Sequence, residues 1–406
     1  MQRITSLDMH LKFPPGKVVE TKCLEDVACG MYPCYYLRSD NKLKVSTSVV
    51  ALIFDSGSFE LNPNFKPPNF LNCQSVQKSL IRSIFAKTPA ILKKPIRNLF
   101  LVRNSASNSY ERKLWYESWE TIDKRIRKLK PFEKVTPTSS TITFKPDFTI
   151  NDKEEIIDKT VYYLQKFINE IEIKYLNYCH IVLTGGKDSQ LISLVPKLNP
   201  ERWYIFSAEP NYTLVKHWVK ENGIRVKRIF KHNNKNEETI DDFRKKIICS
   251  DLYSDPRHIQ WLPTLKRIAK KFDNKCIFWS GTIGDTIYSF HEAYHIGSKE
   301  KYFDVHMTRA ASWQGNYHQT FKNFVGRPLL SPYHSKEIWE ELYQHLDPSV
   351  IKKDTDLRPE IGERLFGKPV KWVDENPGPE PYSYPIIICL MNTYRIYKKY
   401  IQSKLK

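Results

Sequence analysis

The chain has 406 residues, 41% hydrophobic and 13% aromatic, and carries a formal net charge of +19. This length fits at least two domains of ordinary size. No stretch approaches the roughly 18 to 20 uninterrupted apolar residues that a membrane span requires, and the N-terminus lacks the apolar core and cleavage pattern of a signal peptide. We therefore expect a soluble, cytoplasmic protein without a membrane span.

The positive charge arises from 64 lysines and arginines against 45 acidic residues. A field of this sign attracts polyanions, which include nucleic acid, nucleotides and membrane surfaces. Much of the excess lies in stretches 124–134, 216–235 and 398–406, which are typical of solvated surface. Charge alone does not select among these partners, so nucleic acid is kept as an alternative that is not favoured.

The cysteines predict neither a zinc site nor a disulfide framework. They are scattered, without a CxxC pair or a Cys/His cluster at zinc-ligand spacing. We interpret them as reduced, mostly buried side chains. There are eight: Cys23, Cys29, Cys34, Cys73, Cys179, Cys249, Cys276 and Cys389.

The first 150 residues have the pattern of a β-rich domain. Residues 35–37 and 43–53 predict two strands joined by the polar turn 38–42, and residues 98–102 predict a third strand. The region that we interpret as a linker contains three prolines, Pro131, Pro137 and Pro146. Because proline interrupts regular structure, we place the domain boundary at about residue 150.

From residue 151 onward, helix-like and strand-like segments alternate. Apolar side chains at helical spacing predict a helix over 156–171. Further helices are predicted at 190–195, 213–222 and 261–272, and strands at 180–183, 202–207, 225–230 and 276–280. This alternation predicts an α/β fold with a doubly wound parallel sheet, followed from about residue 302 by a helical C-terminal portion. The second domain is therefore assigned to residues 151–406.

A glycine-containing loop follows the first strand of this second domain. It consists of Thr184, Gly185, Gly186, Lys187, Asp188 and Ser189. Amides at a helix N-terminus favour anions, and glycines let the backbone approach a phosphate and adopt conformations closed to other residues. The hydroxyls and the lysine attract phosphate, while the aspartate is suited to magnesium. The spacing differs from the GxxxxGK[ST] loop, yet the combination still predicts a nucleotide phosphate site.

The loop string TGGKDS resembles the SGGxDS signature of the PP-loop ATP pyrophosphatases. In that family the loop holds pyrophosphate while a carboxylate or carbonyl oxygen attacks the α-phosphate of ATP. The attack gives an adenylated intermediate. The resemblance therefore implies ATP as a substrate, with AMP and pyrophosphate as products.

A second segment narrows the resemblance to the asparagine synthetase branch, which includes β-lactam synthetase. Residues 278–290, FWSGTIGDTIYSF, resemble that branch's strand and SGxGxDELFGGY motif. Gly281, Gly284 and Asp285 match the motif, whereas Thr286 stands where glutamate is expected. The match implies that both glycines contact the nucleotide.

The same resemblance implies a metal site and a nucleoside contact. Asp188 and Asp285 would together hold Mg²⁺ beside the triphosphate, since one carboxylate seldom suffices for a hard cation. Ser207, after the second predicted strand, falls where the family contacts adenine or ribose. ATP and Mg²⁺ are therefore the expected ligands.

Three looser matches follow downstream. Residues 326–332 resemble the branch's RxPFLD segment, and residues 352–358 resemble its KxxLR stretch. Residues 367–371 fall where the branch carries a catalytic lysine. The resemblance thus implies that Lys368 or Lys371 stabilises negative charge during acyl transfer.

The first domain resembles the N-terminal glutaminase domain of the same branch, in a degenerate form. Residues 30–37 and 43–48 resemble its G-x-x-P-L-Y-Y hairpin, and residues 126–133 resemble its exit segment. An active glutaminase of this Ntn type uses a cysteine directly after the initiator methionine. Gln2 stands there in this chain, so the thiolate nucleophile is missing. We expect no glutaminase activity.

These observations favour an ATP-dependent carbon–nitrogen ligase. In this hypothesis a small-molecule or peptide carboxylate is adenylated, and an amine then displaces AMP, while the protein positions the reactants and neutralises charge. One alternative is a PP-loop enzyme that modifies tRNA or another nucleic acid. The other is a degenerate nucleotide-binding paralogue without turnover, which Thr286 keeps open.

Overall fold

The computed structural model describes residues 3–27, 31–39, 41–65, 119–209, 211–232, 239–251, 261–284, 288, 299, 315–351, 356–373 and 393–405. Within these residues two four-stranded sheets come from the first half of the chain and a five-stranded sheet from the second. The predicted strand at 98–102 lies outside the described residues, as do Cys29, Cys73 and Cys389.

The first half is built mainly from short strands. They are β1 (Arg3–Thr5), β2 (Val19–Thr21), β3 (Cys23–Glu25), β4 (Tyr35–Ser39), β5 (Lys42–Ser46), β6 (Ile126–Lys128), β7 (Glu133–Val135) and β8 (Ser140–Ile142), with helices α1 (Ser6–Leu11) and α2 (Val49–Ser56). One sheet has the order β2-β5-β4-β6 and the other the order β1-β3-β7-β8. The predicted hairpin is confirmed, since β4 pairs antiparallel with β5.

The strand predicted over 43–53 is correct only in its first part. The strand ends at Ser46, and residues from Val49 onward form α2. The Ser48 hydroxyl accepts a hydrogen bond from the backbone of Ala51, and Gly57 ends the helix at a φ of 68°. Valine and isoleucine favour strands in general, but here the cap at each end and burial of the apolar face favour a helix.

The second half alternates helices and strands. They are α3 (Lys153–Lys174), β9 (Cys179–Leu183), α4 (Lys187–Leu194), β10 (Trp203–Ala208), α5 (Asn211–Asn222), β11 (Arg228–His232), α6 (Ile240–Cys249), α7 (Leu262–Lys271), β12 (Cys276–Ser280), α8 (Gly315–Val325), β13 (Leu329–Leu330), α9 (Arg358–Phe366) and α10 (Thr393–Leu405). Short helical turns occur at Pro200–Arg202, Pro332–His334, Lys336–Ile338, Trp339–Tyr343 and Pro348–Val350. Among the described helices, none has both the length and the apolar content needed to cross a bilayer.

The five-stranded sheet has the order β11-β10-β9-β12-β13, and every neighbouring pair is parallel. From β9 the chain moves outward through β10 to β11 and then crosses to the other side of β9 to form β12. The direction of winding therefore reverses between β9 and β12. Ligands of such sheets bind at this reversal, beyond the carboxyl ends of the strands. The predicted α/β fold with a parallel sheet is confirmed.

Apolar side chains cover both faces of this sheet. Val182 and Ile205 belong to a core cluster that includes residues of α3, α4, α5 and α9. Ile181 and Phe206, one position along each strand, belong to a second cluster with α6, α7 and α8. Tyr35 and residues of α2 also belong to the second cluster, so the two halves of the chain share one core.

Candidate functional site

The two glycine-containing loops meet at the reversal point of the parallel sheet. β9 leads into the loop 184–189, and β12 leads into the loop 281–284. The two strands are adjacent and parallel, with Leu183 in register with Ser280. Both loops therefore leave the same edge of the sheet from neighbouring strands.

The first loop ends at the N-terminus of helix α4. Gly186 is the N-cap of α4, and it supplies no side-chain hydrogen bond to the first turn. The first amides of a helix lack partners within the helix, and together with the helix dipole they favour an anion. The hydroxyl of Ser189 lies 2.8 Å from Thr184 Oγ1 and 2.9 Å from the carbonyl oxygen of Gly186. These contacts fix the shape of the loop.

The second loop packs against the first so closely that only glycine fits. A Cβ atom on Gly281 would lie 2.3 Å from the amide nitrogen of Ser189, and one on Gly284 would lie 2.9 Å from Asp188 Cβ. Contacts this short do not occur between real side chains, so both positions exclude any larger residue. The predicted glycines Gly281 and Gly284 are therefore brought together with Asp188 and Ser189.

The expected role of the first two glycines needs a correction. We expected Gly185 and Gly186 to adopt conformations closed to other residues. Gly186 has a φ of −153°, which is extended backbone that any residue adopts. Gly185 lacks a left-handed φ as well, and a Cβ there would approach the side-chain nitrogen of Asn211 at 2.9 Å. At Gly185, the reason for glycine is therefore the close approach of a neighbouring side chain. An unusual φ angle is not the reason.

Backbone strain in the second loop falls at Ile283, a residue that no sequence motif includes as a functional position. Ile283 has a φ of 77° and is almost fully buried. A β-branched residue in the left-handed region is a genuine outlier. Strain of this kind costs about 1 to 3 kcal/mol and clusters at ligand-binding and catalytic loops. The left-handed φ of Ile283 is therefore a second reason, independent of the glycines, to consider this loop a functional site.

A buried histidine holds the second loop in place. His318, on α8, donates from Nδ1 to the carbonyl oxygen of Leu329 at 2.8 Å, because a carbonyl oxygen only accepts. Its Nε2 therefore accepts from the hydroxyl of Thr282 at 3.1 Å. Burial lowers the pKa of His318 to about 3, so the ring is neutral. Ser331 adds a hydrogen bond to the Thr282 carbonyl oxygen at 3.0 Å.

The charged residues of the first loop contact the N-terminal end of α9. Lys187 Nζ lies 3.0 Å from Asp356 Oδ2, and Arg358 Nη1 lies 2.8 Å from Asp188 Oδ1. Arg358 also binds Asp356 through Nε at 2.7 Å and Nη2 at 2.9 Å. Lys187, Asp188, Asp356 and Arg358 form a charge network that sums to zero.

The ion pairs of this network keep Asp356 and Arg358 in their charged forms despite burial. Burial alone would raise the pKa of Asp356, but hydrogen bonds from Arg358 and then Lys187 outweigh it and lower that pKa. Burial would likewise lower the pKa of Arg358, whereas its hydrogen bond to Asp356 and the charge of Asp188 raise it. Sequence analysis gave no role to Asp356 or Arg358. The resemblance of residues 352–358 to a KxxLR stretch was the available signal.

Ser207 lies beside the first loop with an unused hydroxyl. The residue is 2% exposed, and its Oγ has no hydrogen-bond partner within the described part of the chain. Thr184 donates its amide to the carbonyl oxygen of Phe206 at 3.0 Å, which places the end of β10 next to the loop. A buried hydroxyl without a partner costs about 1 to 3 kcal/mol. The position therefore suits a polar ligand atom.

The two predicted catalytic lysines lie at the far ends of helices that begin near the loop. Arg358 opens α9, whereas Lys368 follows its C-terminal end, with Nζ 4.5 Å from the ring centroid of Phe366. Eight residues of helix span about 12 Å. Lys371 Nζ lies 3.0 Å from Glu221 at the end of α5. These contacts bring neither lysine to the loop, and their catalytic role stays a prediction.

The predicted metal site is described only in part. Asp285 and Thr286 lie outside the described residues. Among the residues that the structure describes, no group of three or more His, Cys, Asp or Glu side chains is arranged to hold a metal. Asp188 and Asp356 offer carboxylate oxygens, which suit Mg²⁺, but the guanidinium of Arg358 binds both. A divalent cation would have to displace Arg358 from Asp188 to use that oxygen.

The whole chain was compared with protein-family models and with curated proteins. No protein-family model matches the chain, and no curated protein shows significant similarity to it. The resemblance to PP-loop ATP pyrophosphatases therefore depends on short motifs, chiefly TGGKDS and SGTIGD, and on the place of their described residues at the reversal point of the sheet.

Proposed function

We propose that this chain binds ATP at the reversal point of its parallel sheet and cleaves it to AMP and pyrophosphate in forming an amide bond. One observation carries the proposal: two glycine-containing loops, each following a neighbouring parallel strand, are in backbone contact at the N-terminus of α4. The first amides of a helix favour an anion such as phosphate.

Each described residue of the site has a part in this proposal. Lys187 and the first amides of α4 bind the β- and γ-phosphates. The free hydroxyl of Ser207 and the backbone at Gly281 and Gly284 contact the rest of the nucleotide. Asp188 would hold Mg²⁺, with Asp285 as the second predicted ligand. Bound Mg²⁺ would neutralise phosphate charge as ATP is cleaved.

The reaction follows two displacements. A carboxylate oxygen of the substrate attacks the α-phosphorus of ATP, and pyrophosphate leaves with the bonding electrons. The nitrogen of an amine then attacks the acyl carbon, AMP leaves, and the nitrogen loses a proton. The chain's contribution is to position the reactants and to stabilise the charge that develops on the leaving pyrophosphate, which the α4 N-terminus and Lys187 favour.

A second candidate function is a nucleotide-binding protein without turnover. Lys187 and Asp188 are both neutralised by partners within the chain, Asp356 and Arg358, and Lys368 and Lys371 have their described contacts elsewhere. The nucleic-acid-modifying alternative is favoured only by the charge of +19. The amide-forming reaction remains the leading proposal, because the two-loop geometry suits ATP binding and the motifs resemble those of amide-forming enzymes.

The test is exchange of labelled pyrophosphate into ATP in the presence of Mg²⁺ and a panel of carboxylates. Exchange that Asp188→Ala abolishes and Arg364→Gln preserves would support the proposal. Arg364 is a matched control, because it lies on α9 but binds Glu154 and Asp158. ATP binding without exchange for any carboxylate would favour the protein without turnover. Salt-sensitive tRNA binding with a modified nucleoside as product would favour the nucleic-acid enzyme.

A further inference from the structure

Asp356 receives the hydrogen bonds that a phosphate group would receive at this site. The Arg358 guanidinium binds it through two parallel bonds of 2.7 and 2.9 Å, and Lys187 adds a third at 3.0 Å. Two-pronged binding by arginine together with a lysine contact is the pattern by which proteins recognise phosphate as well as carboxylate. The carboxylate of Asp356 thus occupies phosphate-type donors.

We propose that Asp356 is an internal substitute for phosphate: the phosphates of the nucleotide displace it from Lys187 and Arg358, and Arg358 becomes a phosphate-binding residue. This inference rests on the proposed function, because it takes the loop 184–189 as the phosphate site. It adds two residues, Asp356 and Arg358, to that site. It also assigns them opposite effects on affinity.

The geometry allows the exchange with little movement of the backbone. The side chains of Lys187 and Asp356 are 28% and 25% exposed, so their ion pair is open to an incoming anion. The amide of Leu357 donates to the carbonyl oxygen of Tyr288 at 2.9 Å, and Tyr333 donates its hydroxyl to the carbonyl oxygen of Asp188 at 2.6 Å. These bonds hold the backbone on both sides of the network. The exchange then needs only side-chain rotation.

The bond from Arg358 to Asp188 is compatible with this exchange. Arg358 Nη1 lies 2.8 Å from Asp188 Oδ1, whereas Nε and Nη2 bind Asp356. A phosphate that takes the place of Asp356 would use Nε and Nη2, so Asp188 would keep the guanidinium oriented toward the phosphate.

Asp356→Asn removes the negative charge of residue 356 but nearly keeps the size and shape of its side chain. Asp356 Oδ1 accepts a hydrogen bond from the backbone of Arg358 at 3.1 Å, and asparagine can accept the same bond. The variant loses the negative charge that competes with phosphate and repels it. We expect Asp356→Asn to bind inorganic pyrophosphate and ATP about tenfold more tightly, which corresponds to about 1.4 kcal/mol.

Arg358 variants should change affinity in the opposite direction. Arg358→Met removes the proposed phosphate donor, and Arg358→Lys keeps the charge but loses the two-pronged geometry. We expect weaker pyrophosphate binding in both, with the larger loss for methionine. The lysine variant keeps the test usable if Arg358→Met fails to fold. In the double variant Asp356→Asn/Arg358→Met, the gain from asparagine should largely disappear.

The experiment measures binding of inorganic pyrophosphate and ATP to the full chain by titration calorimetry, with and without Mg²⁺. Arg364→Gln is the control, and thermal melting checks the folding of each variant. Tighter binding by Asp356→Asn and weaker binding by Arg358→Lys support the inference. Unchanged or weaker binding by a folded Asp356→Asn overturns it, because a purely structural Asp356 gives that result.

These outcomes are distinct from those that test the proposed function. Tighter binding by Asp356→Asn without pyrophosphate exchange upholds the phosphate substitute and overturns the synthetase reaction. Pyrophosphate exchange by the wild type, combined with weaker binding by Asp356→Asn, upholds the synthetase reaction and overturns the phosphate substitute. If neither protein binds pyrophosphate or ATP at millimolar concentration, both proposals fall.

Discussion

Gly281 and Ser189 are in contact across the two loops of the site, so close that a methyl group on Gly281 would lie 2.3 Å from the Ser189 amide nitrogen. The neighbouring atom is main chain at the start of α4 and has no rotamer into which it can retreat. We predict that Gly281→Ala lowers the free energy of unfolding by about 1 to 3 kcal/mol, as overpacking does. It should also weaken ATP binding at least about tenfold, because the α4 amides move. Urea unfolding and nucleotide titration measure the two effects.

Gly185→Ala provides the contrast. A Cβ there would meet the side-chain nitrogen of Asn211, whereas one on Gly281 would meet main chain. We expect a change in unfolding free energy below about 1 kcal/mol. Equal destabilisation by the two variants would show that Gly281 is not held by contact with Ser189.

His318 should make stability pH-dependent. Its pKa is about 3 in the folded protein, where burial excludes the charged ring, against an ordinary value of 6.5. Unfolding below pH 6.5 therefore takes up a proton, so the contribution of His318 is complete above pH 6.5 and is lost as the pH falls. Between pH 7.5 and pH 5 the loss is about 2 kcal/mol.

The check on this prediction is chemical unfolding across that pH range. His318→Gln is expected to be less stable at pH 7.5, because it loses the bonds to Leu329 and Thr282, but its pH profile should be flatter by about 2 kcal/mol. His217→Gln, at an exposed position on α5, is the matched control for the loss of one histidine. A profile for His318→Gln as steep as that of the wild type would contradict a buried neutral ring.

The loop lysine and the downstream lysine should differ sharply. Lys187 lies at the start of α4 within the charge network, whereas Lys371 binds Glu221 at the surface. We predict that Lys187→Met weakens ATP binding by about tenfold or more, since charged hydrogen bonds contribute about 1.5 to 3 kcal/mol. Lys371→Met should alter ATP affinity and stability little, because exposed ion pairs contribute about 0 to 1 kcal/mol.

An amide-formation assay decides the remaining role of Lys371. A wild-type ATP affinity combined with lost amide formation would support the catalytic lysine that the motif resemblance implies. Unchanged amide formation would remove Lys371 from the mechanism.

The first half of the chain should not supply ammonia. In the proposed interpretation of the first half as a degenerate glutaminase-like domain, Gln2 takes the place of the nucleophilic cysteine, and glutamine has no thiolate. We predict that the purified protein releases no glutamate from glutamine, whether or not ATP is present. An enzymatic glutamate assay gives the answer, and added ammonium salts or primary amines serve as the positive arm for amide formation. Glutamate release above background would contradict the degenerate interpretation.

Sequence patterns predicted the α/β half of the fold well, because its strands and helices repeat hydrophobic residues at regular spacing. The predicted strand at 225–230 was displaced, since pairing with β10 begins only at Arg228. Helix α6 was missed, although Thr239 and Asp242 form a capping box that the sequence displays.

The sequence predicted those residues of the candidate site that lie close together along the chain. The loop 184–189 and the glycines at 281 and 284 belong to short motifs, and the strand–loop–helix order placed the first of them. Asp356 and Arg358 reach the loop from about 170 residues away, and no local pattern shows such a pairing. The strained φ of Ile283 likewise results from tertiary packing.

Because the two halves share one core, removal of the first half should destabilise the second. Tyr35 and α2 pack in the same apolar cluster as α6, α7 and α8, and Tyr35 donates its hydroxyl to Gln319 of α8 at 2.7 Å. Truncation at residue 150 would expose this apolar surface to water and remove the Tyr35 hydroxyl from Gln319, which would keep its contact with Asp251. We therefore expect the first half to stabilise the second through this shared core, so that the chain melts in one cooperative transition in place of two.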